Sequence, residues 1–181
     1  MTEIAILGGG CFWCIEPIFK ALHGVEGVTP GYAGGHVDNP SYEQVCTKTT
    51  GHIEVVRVEF DPQVIDYATV LRVFFASHDP TTLDRQGADV GPQYASAIFC
   101  QSPAQREVAE SLIKELQAET GQAIVTRLLG AETFWPAEDY HHDYFARNPY
   151  QGYCQAVISP KLAKFRKQYA HLLRGQTPGG V

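Results

Sequence analysis

Two cysteines, three residues apart, follow three glycines in Gly8-Gly9-Gly10-Cys11-Phe12-Trp13-Cys14. A C-x-x-C pair points to redox or metal work. Residues 3–7 read as a short buried strand, and from Phe12 to Leu22 apolar residues recur at helical spacing. Strand, turn, cysteine and helix together place a thiol at unpaired backbone N–H groups that carry partial positive charge. Such a place binds anions. A thiolate is an anion, so Cys11 is expected to titrate low and act as a nucleophile. The glycines let the chain turn tightly and let a ligand come close. A dinucleotide site is excluded, because G-x-G-x-x-G needs glycine where Trp13 stands. Zinc would want a second pair or a Cys/His cluster, and Cys46, Cys100 and Cys154 stand alone, so no metal is expected.

A carboxyl sits on an apolar face. Residues 52–60 alternate as a strand, and Glu54 shares a face with Val56, Val58 and Phe60. It is either a strand-end glutamate reaching solvent or a desolvated carboxyl whose raised pKa suits a general acid. Tyr42 and Tyr94 end polar loops. Each is a packing residue or a hydroxyl donor to a substrate oxygen. Cys154 lies in the turn-rich segment Asn148-Pro149-Tyr150-Gln151-Gly152-Tyr153-Cys154. It is an incidental cysteine or a resolving thiol that travels to Cys11. His141-His142-Asp143 reads mainly as a polar helix surface or a support behind the site.

These residues need a scaffold. Strands are expected at 3–7, 25–35, 52–60, 94–100 and 124–129, and helices at 67–77, 104–119, 139–147 and 161–169. Ser102 is the expected N-cap of the helix at 104–119, the clearest of them, with Pro103 at its first position. Residues 36–42 and 78–93 read as loops. Pro17 requires the first helix to start close to the cysteines or to bend. Strands and helices alternate irregularly, which points to an α+β two-layer fold with helices on a mostly antiparallel or mixed sheet. The 181 residues are expected to form one domain, with a loose tail at 175–181.

Composition narrows the function. The 14 basic and 20 acidic residues leave a net charge of -6, which disfavours nucleic acid and anionic membrane as partners. No apolar run is long enough to span a bilayer, and the N-terminus lacks a signal-peptide pattern, so a cytoplasmic location is expected. Five irregularly spaced cysteines argue against a secreted disulfide framework.

Gly10-Cys11-Phe12-Trp13, with Glu16, resembles the active-site motif of the peptide methionine sulfoxide reductase A family. The likeness continues through Gly31-Tyr32-Ala33-Gly34-Gly35, Asn39-Pro40-Ser41-Tyr42, Gly51-His52-Ile53-Glu54-Val55, His78-Asp79-Pro80, Gln93-Tyr94 and Asn148-Pro149-Tyr150. The resemblance implies a ferredoxin-like plait or roll with an irregular C-terminal segment. It also implies reduction of the S epimer of methionine sulfoxide, free or in proteins, for protein repair. The family's nucleophile falls on Cys11 and its acid on Glu54. Its hydroxyl donors fall on Tyr42 and Tyr94, with Asp89 nearby, and its methyl pocket on Phe12 and Trp13. No cofactor is bound; thioredoxin or another dithiol recycles the enzyme, and a monomer is expected. The chain departs from many members in carrying Cys14 in place of glycine, and from some in having only Cys154 near its C-terminus. Cys154 is the favoured resolving thiol and Cys14 the alternative. Rival readings are a general disulfide reductase, a zinc module and a peptide-binding domain.

Overall fold

The computed structural model describes residues 1–174. The tail expected at 175–181 lies outside the described residues. In chain order the elements are β1 (Glu3–Gly9), α1 (Phe12–Lys20), β2 (Val25–Ala33), α2 (Tyr42–Cys46), β3 (Ile53–Phe60), α3 (Tyr67–Ser77), β4 (Arg85–Gln86) and β5 (Asp89–Val90). They continue with β6 (Ser96–Phe99), α4 (Pro103–Thr120), β7 (Arg127–Leu129), β8 (Trp135–Pro136), α5 (Tyr144–Arg147) and α6 (Ser159–Gln168).

Six strands form one sheet in the order β7-β6-β1-β3-β2-β8. Only β6 and β7 run parallel; the other neighbours are antiparallel. The run β1-α1-β2-β3-α3-β6 is the βαββαβ plait of ferredoxin-like folds, with β7 and β8 added at its two edges. The expected α+β class and mixed, mostly antiparallel sheet are therefore what the chain adopts.

Period-2 alternation divides the sheet into two faces. Ala5, Leu7, Val56, Val58 and Phe60 pack with Ile15, Ile18 and Phe19 of α1 and Val70, Leu71 and Phe74 of α3. The other face carries a smaller cluster of Ile6, Ile53, Val55, Ala97 and Phe99, covered in part by Phe134. Each fully buried Leu, Ile or Phe in the larger cluster contributes about 1.5–3 kcal/mol. Glu54 lies on the helix-covered face, between sheet and α1.

α1 begins immediately after the glycines. Cys11 is its N-cap, and the Cys14 N–H closes the first turn on the Cys11 carbonyl at 3.0 Å. Pro17 stays inside the helix, where it lacks the N–H that would reach the Trp13 carbonyl. Gly10 has φ of +92°, and a Cβ there would stand 2.6 Å from Cγ of Gln86. The room that Gly10 leaves is thus taken by the protein's own Gln86.

Several local expectations change. Residues 78–93 hold the β4–β5 hairpin, and Tyr94 ends a 3₁₀ turn, Pro92–Tyr94, before the strand starts at Ser96. α2 follows the expected loop at residues for which no element was expected, started by the capping box of Ser41 and Gln44. Residues 139–147 split into a 3₁₀ turn, Asp139–His141, and α5. Cys154 opens a π-helical turn, Cys154–Ile158, and is buried.

Gly10→Ala is expected to lower stability by about 1–3 kcal/mol, since it adds a strained positive φ to a steric conflict. Urea unfolding of the two proteins measures the difference.

Candidate active site

Cys11 stands half-buried at the start of α1, and the Trp13 backbone N–H points at its sulfur. A helix start alone predicts a depressed thiol. Here the Cys11 thiol is instead pushed well above its ordinary value. Hydrogen bonding to the Cys14 thiol comes first among the causes, then burial, then negative charge on Glu54 and Cys14; the Trp13 amide opposes them. The depressed thiol is Cys14, lowered to about 7 by the bond to Cys11 against the effect of burial, with Lys161 and Tyr153 assisting. Each thiol shifts the titration of the other, so their proton losses belong to the pair.

Glu54 explains the acid on the apolar face. The residue is 1% exposed. One carboxyl oxygen, Oε1, accepts the Phe12 N–H at 3.2 Å, while the other, Oε2, has no partner. Burial raises its pKa to about 8; Asp89 and Cys14 add to the rise, and the Phe12 amide opposes it. At neutral pH the group is a carboxylic acid with a free O–H. The solvent-reaching alternative for Glu54 is thereby excluded.

Two tyrosines from other segments stand within the field of Glu54. Tyr42 is the first residue of α2, set there by the Ser41 cap, and Tyr94 ends its 3₁₀ turn. Burial, and next the charge of Glu54, pushes both phenols above their ordinary value, so both remain hydroxyl donors. Asp89 on β5 accepts the Tyr153 hydroxyl at 2.8 Å, and the same hydroxyl lies 3.4 Å from the Cys14 sulfur. Tyr153 is a site residue that the sequence reading passed over; its place beside Cys154 was the available signal.

Phe12 and Trp13 differ in setting. Phe12 is fully buried against Tyr32 and His141, whereas Trp13 is half-buried and stacks on Tyr144 with ring centroids 3.9 Å apart and planes at 8°. The segment 138–144 packs over Trp13 and is tied to α1 by Glu16, whose Oε1 accepts the Asp143 N–H at 2.7 Å. Burial raises Glu16 to about 7, against the pull of Lys20. His141 is not on a polar surface: it is 0% exposed.

Cys154 packs with Cys14 and Ile158, and Cys11 and Tyr153 lie against that cluster. Cys100 is buried in the main core, and Cys46 is half-buried at the end of α2. A cleft of about 1150 Å³ opens on Cys11 and Cys14 and runs past Asp89 and Tyr153 towards Lys161 and Phe165. Trp13, Tyr42, Tyr94 and Glu54 do not line it. Among the described residues, no group of three or more His, Cys, Asp and Glu is arranged to hold a metal ion. No helix among them is long and apolar enough to cross a membrane.

A paired thiol beside a protonated buried carboxyl, on a ferredoxin-like plait, defines a thiol-dependent oxidoreductase. Comparison with known proteins gives the family. Residues 3–173 match the family model described as peptide methionine sulfoxide reductase. The chain is 60% identical to the peptide methionine sulfoxide reductase MsrA of Chromobacterium violaceum over 174 residues, covering 95% of this chain and 99% of that protein. It is 60% identical to the protein of the same name from Thermus thermophilus, over 95% of this chain and 98% of that one. Among solved structures it is similar to methionine sulfoxide reductase A of Corynebacterium diphtheriae, with TM-score 0.75 and 35% identity over 83% and 76% of the two chains. Saccharomyces cerevisiae Mxr1 in its reduced form gives TM-score 0.76 and 32% identity over 84% and 89%. A structure of Mxr1 in complex with Trx2 shares the fold, at TM-score 0.54 and 24% identity over 78% and 84%. The chain belongs to the peptide methionine sulfoxide reductase family.

The protonation of Glu54 has a stability consequence. Unfolded, the carboxyl ionises near 4.5; folded, it keeps its proton to about 8. Its contribution is therefore full below pH 4.5 and is lost as pH rises through 8. Wild type is expected to lose stability relative to Glu54→Gln over that window. Urea midpoints of both proteins from pH 4.5 to 8.5 measure it, and Glu16 cancels because it titrates in both.

Proposed function

We propose that this chain reduces methionine S-sulfoxide to methionine with Cys11 as nucleophile and Glu54 as proton donor. The observation that carries the reading is the unpartnered, protonated Glu54 oxygen beside the Cys11–Cys14 pair.

The thiol pair loses its first proton near neutrality. As the Cys11 sulfur attacks the sulfoxide sulfur, its proton passes to the Cys14 thiolate. Negative charge then grows on the sulfoxide oxygen. Glu54 delivers its proton there, and the Tyr42 and Tyr94 hydroxyls donate hydrogen bonds, so charge is met where it develops. With Glu54 neutral, its charge no longer opposes the Cys11 thiolate. The substrate methyl group lies against the half-buried Trp13, with Phe12 enclosed between Tyr32 and His141, and Asp89 orients Tyr153 at the mouth. Methionine leaves and Cys11 becomes a sulfenic acid.

A second thiol condenses with the sulfenic acid, releasing water and forming a disulfide that a dithiol reduces. The sequence favours Cys154, on the premise that its segment travels. That premise fits poorly with a sulfur buried in a helical turn. Cys14 stands three residues from Cys11 in a cluster that Cys11 packs against, and its value near 7 suits a resolving nucleophile. We therefore place the first disulfide at Cys11–Cys14 and keep Cys154 as the second reading, supported by its packing on Cys14. Thioredoxin is the proposed reductant, reaching the disulfide through the cleft that opens on both sulfurs.

A dithiol-driven assay on peptides bearing separated S and R epimers tests the reaction. Wild type is expected to consume only the S epimer, and Cys11→Ser neither. Glu54→Gln is expected to be slower by about two to three orders of magnitude. Peptide mapping after one turnover without reductant is expected to give a Cys11–Cys14 bridge. A Cys11–Cys154 bridge overturns that assignment, and consumption of neither epimer overturns the reaction.

A further inference from the structure

The groups proposed to meet a sulfoxide leave the cleft on the thiol pair unused. Cys11, Cys14 and Tyr153 line it, whereas Trp13, Tyr42, Tyr94 and Glu54 do not. At about 1150 Å³ it is large enough for a small-molecule ligand. Phe75, Leu116, Val157 and Phe165 give it apolar walls, and α6 adds Lys161 and Lys164. These lysines are three residues apart on one helix, so they share a face. Among the described residues, neither makes an ion pair.

Most other charges of the lining are already partnered. Arg72 is bound to Glu115, Asp79 accepts from the Thr81 hydroxyl, and Asp89 accepts from Tyr153. Glu119, in the last turn of α4, is the remaining acid. A ligand that fits this balance carries more carboxylates than amines. The reaction open to it at Cys11 and Cys14 is thiol–disulfide exchange.

We propose that the cleft binds low-molecular-weight thiols that carry carboxylates, seats those carboxylates on Lys161 and Lys164, and exchanges the bound thiol with Cys11 of the oxidised pair. The proposal rests on the proposed function only for what forms the Cys11–Cys14 disulfide. Cys11 is the sulfur attacked, because it is half-buried while Cys14 is 5% exposed. The incoming thiolate bonds to the Cys11 sulfur, the Cys11–Cys14 bond breaks, and its electron pair goes to Cys14. Cys14 is the lower-titrating thiol and so the better leaving group. Its thiolate is met by Lys161 and by the Tyr153 hydroxyl, 3.4 Å from the sulfur. A second small thiolate then attacks the ligand's sulfur in the mixed disulfide and expels Cys11. Two small thiols are oxidised to their disulfide, the pair gains two electrons, and the two thiol protons end on Cys11 and Cys14.

The test uses glutathione as the probe. Protein oxidised with diamide is mixed with it, and alkylation of quenched samples counts the Cys11 and Cys14 thiols. The rate is expected to saturate with glutathione and to rise linearly with dithiothreitol, which has no carboxylate. Changing both Lys161→Gln and Lys164→Gln is expected to raise the half-saturating glutathione concentration about tenfold, with the dithiothreitol rate within about threefold. Lys161→Arg with Lys164→Arg is expected to restore the glutathione value. A linear dependence on glutathione, or equal losses with both reductants, overturns the proposal. Saturation by thioredoxin but not by glutathione also overturns it, since the cleft then serves a protein dithiol. A second measurement needs no protein disulfide. Cys14→Ser is treated with oxidised glutathione, whose attack by Cys11 releases one glutathione thiolate. A mixed disulfide mapped to Cys11, formed at a saturable rate that the Lys→Gln changes slow, supports the site; one mapped only to another cysteine overturns it. Neither measurement uses a sulfoxide, so both judge the cleft even if the sulfoxide is not the substrate.

Discussion

The site depends on a carboxyl kept out of water. Glu54 belongs to a central strand, and its face is covered by α1, so ionising it would place a charge among Phe12, Val56 and Tyr32. A group so placed keeps its proton rather than its charge. The Phe12 amide takes one oxygen and leaves the other unpartnered. The same N–H belongs to the first turn of the helix that carries Cys11. Acid and nucleophile are thus registered to each other through one hydrogen bond, and anything that shifts the start of α1 shifts both.

Around that pair the site is assembled from segments far apart in sequence. α2 brings Tyr42, a 3₁₀ turn brings Tyr94, the β4–β5 hairpin brings Asp89, and the helical start before Cys154 brings Tyr153. None of these pieces is a long element. Each is held by specific polar contacts: a capping box for Tyr42, Gln86 on the Asp79 backbone beneath the hairpin, and Glu16 on the Asp143 amide for the strap over Trp13. The plait supplies rigidity at Cys11 and Glu54, and the loops supply the groups that meet a substrate. The thiol pair then behaves as a unit, with Cys14 taking the depressed value that the helix start was expected to confer on Cys11.

The main elements were legible where periodicity was long. α3 spans the expected residues, and α4 begins at the expected Ser102 cap. The Glu54 face followed from alternation alone, and burial then decided between acid and solvent. Short elements were not legible as such. β4, β5 and β8 are two residues each and carry no pattern to read. α2 has one, the Ser41–Gln44 box, which was passed over in a loop-like stretch. The titration of Cys11 escaped the sequence because the direction in which the C-x-x-C pair shares its charge, and the approach of Glu54 from β3, are set by packing. His141 looked polar by type, and only packing shows that its ring is enclosed.

The most direct test of Glu54 as proton source is the pH profile of single-turnover Cys11 oxidation at saturating S-sulfoxide. The reaction needs the thiol pair to have lost its first proton, near 7, and Glu54 to have kept its own, to about 8. The rate is therefore predicted to rise to a maximum between those values and to fall above pH 8. A rate that keeps climbing beyond pH 8 would mean that thiolate supply alone limits the reaction, and that the buried carboxyl is not the acid.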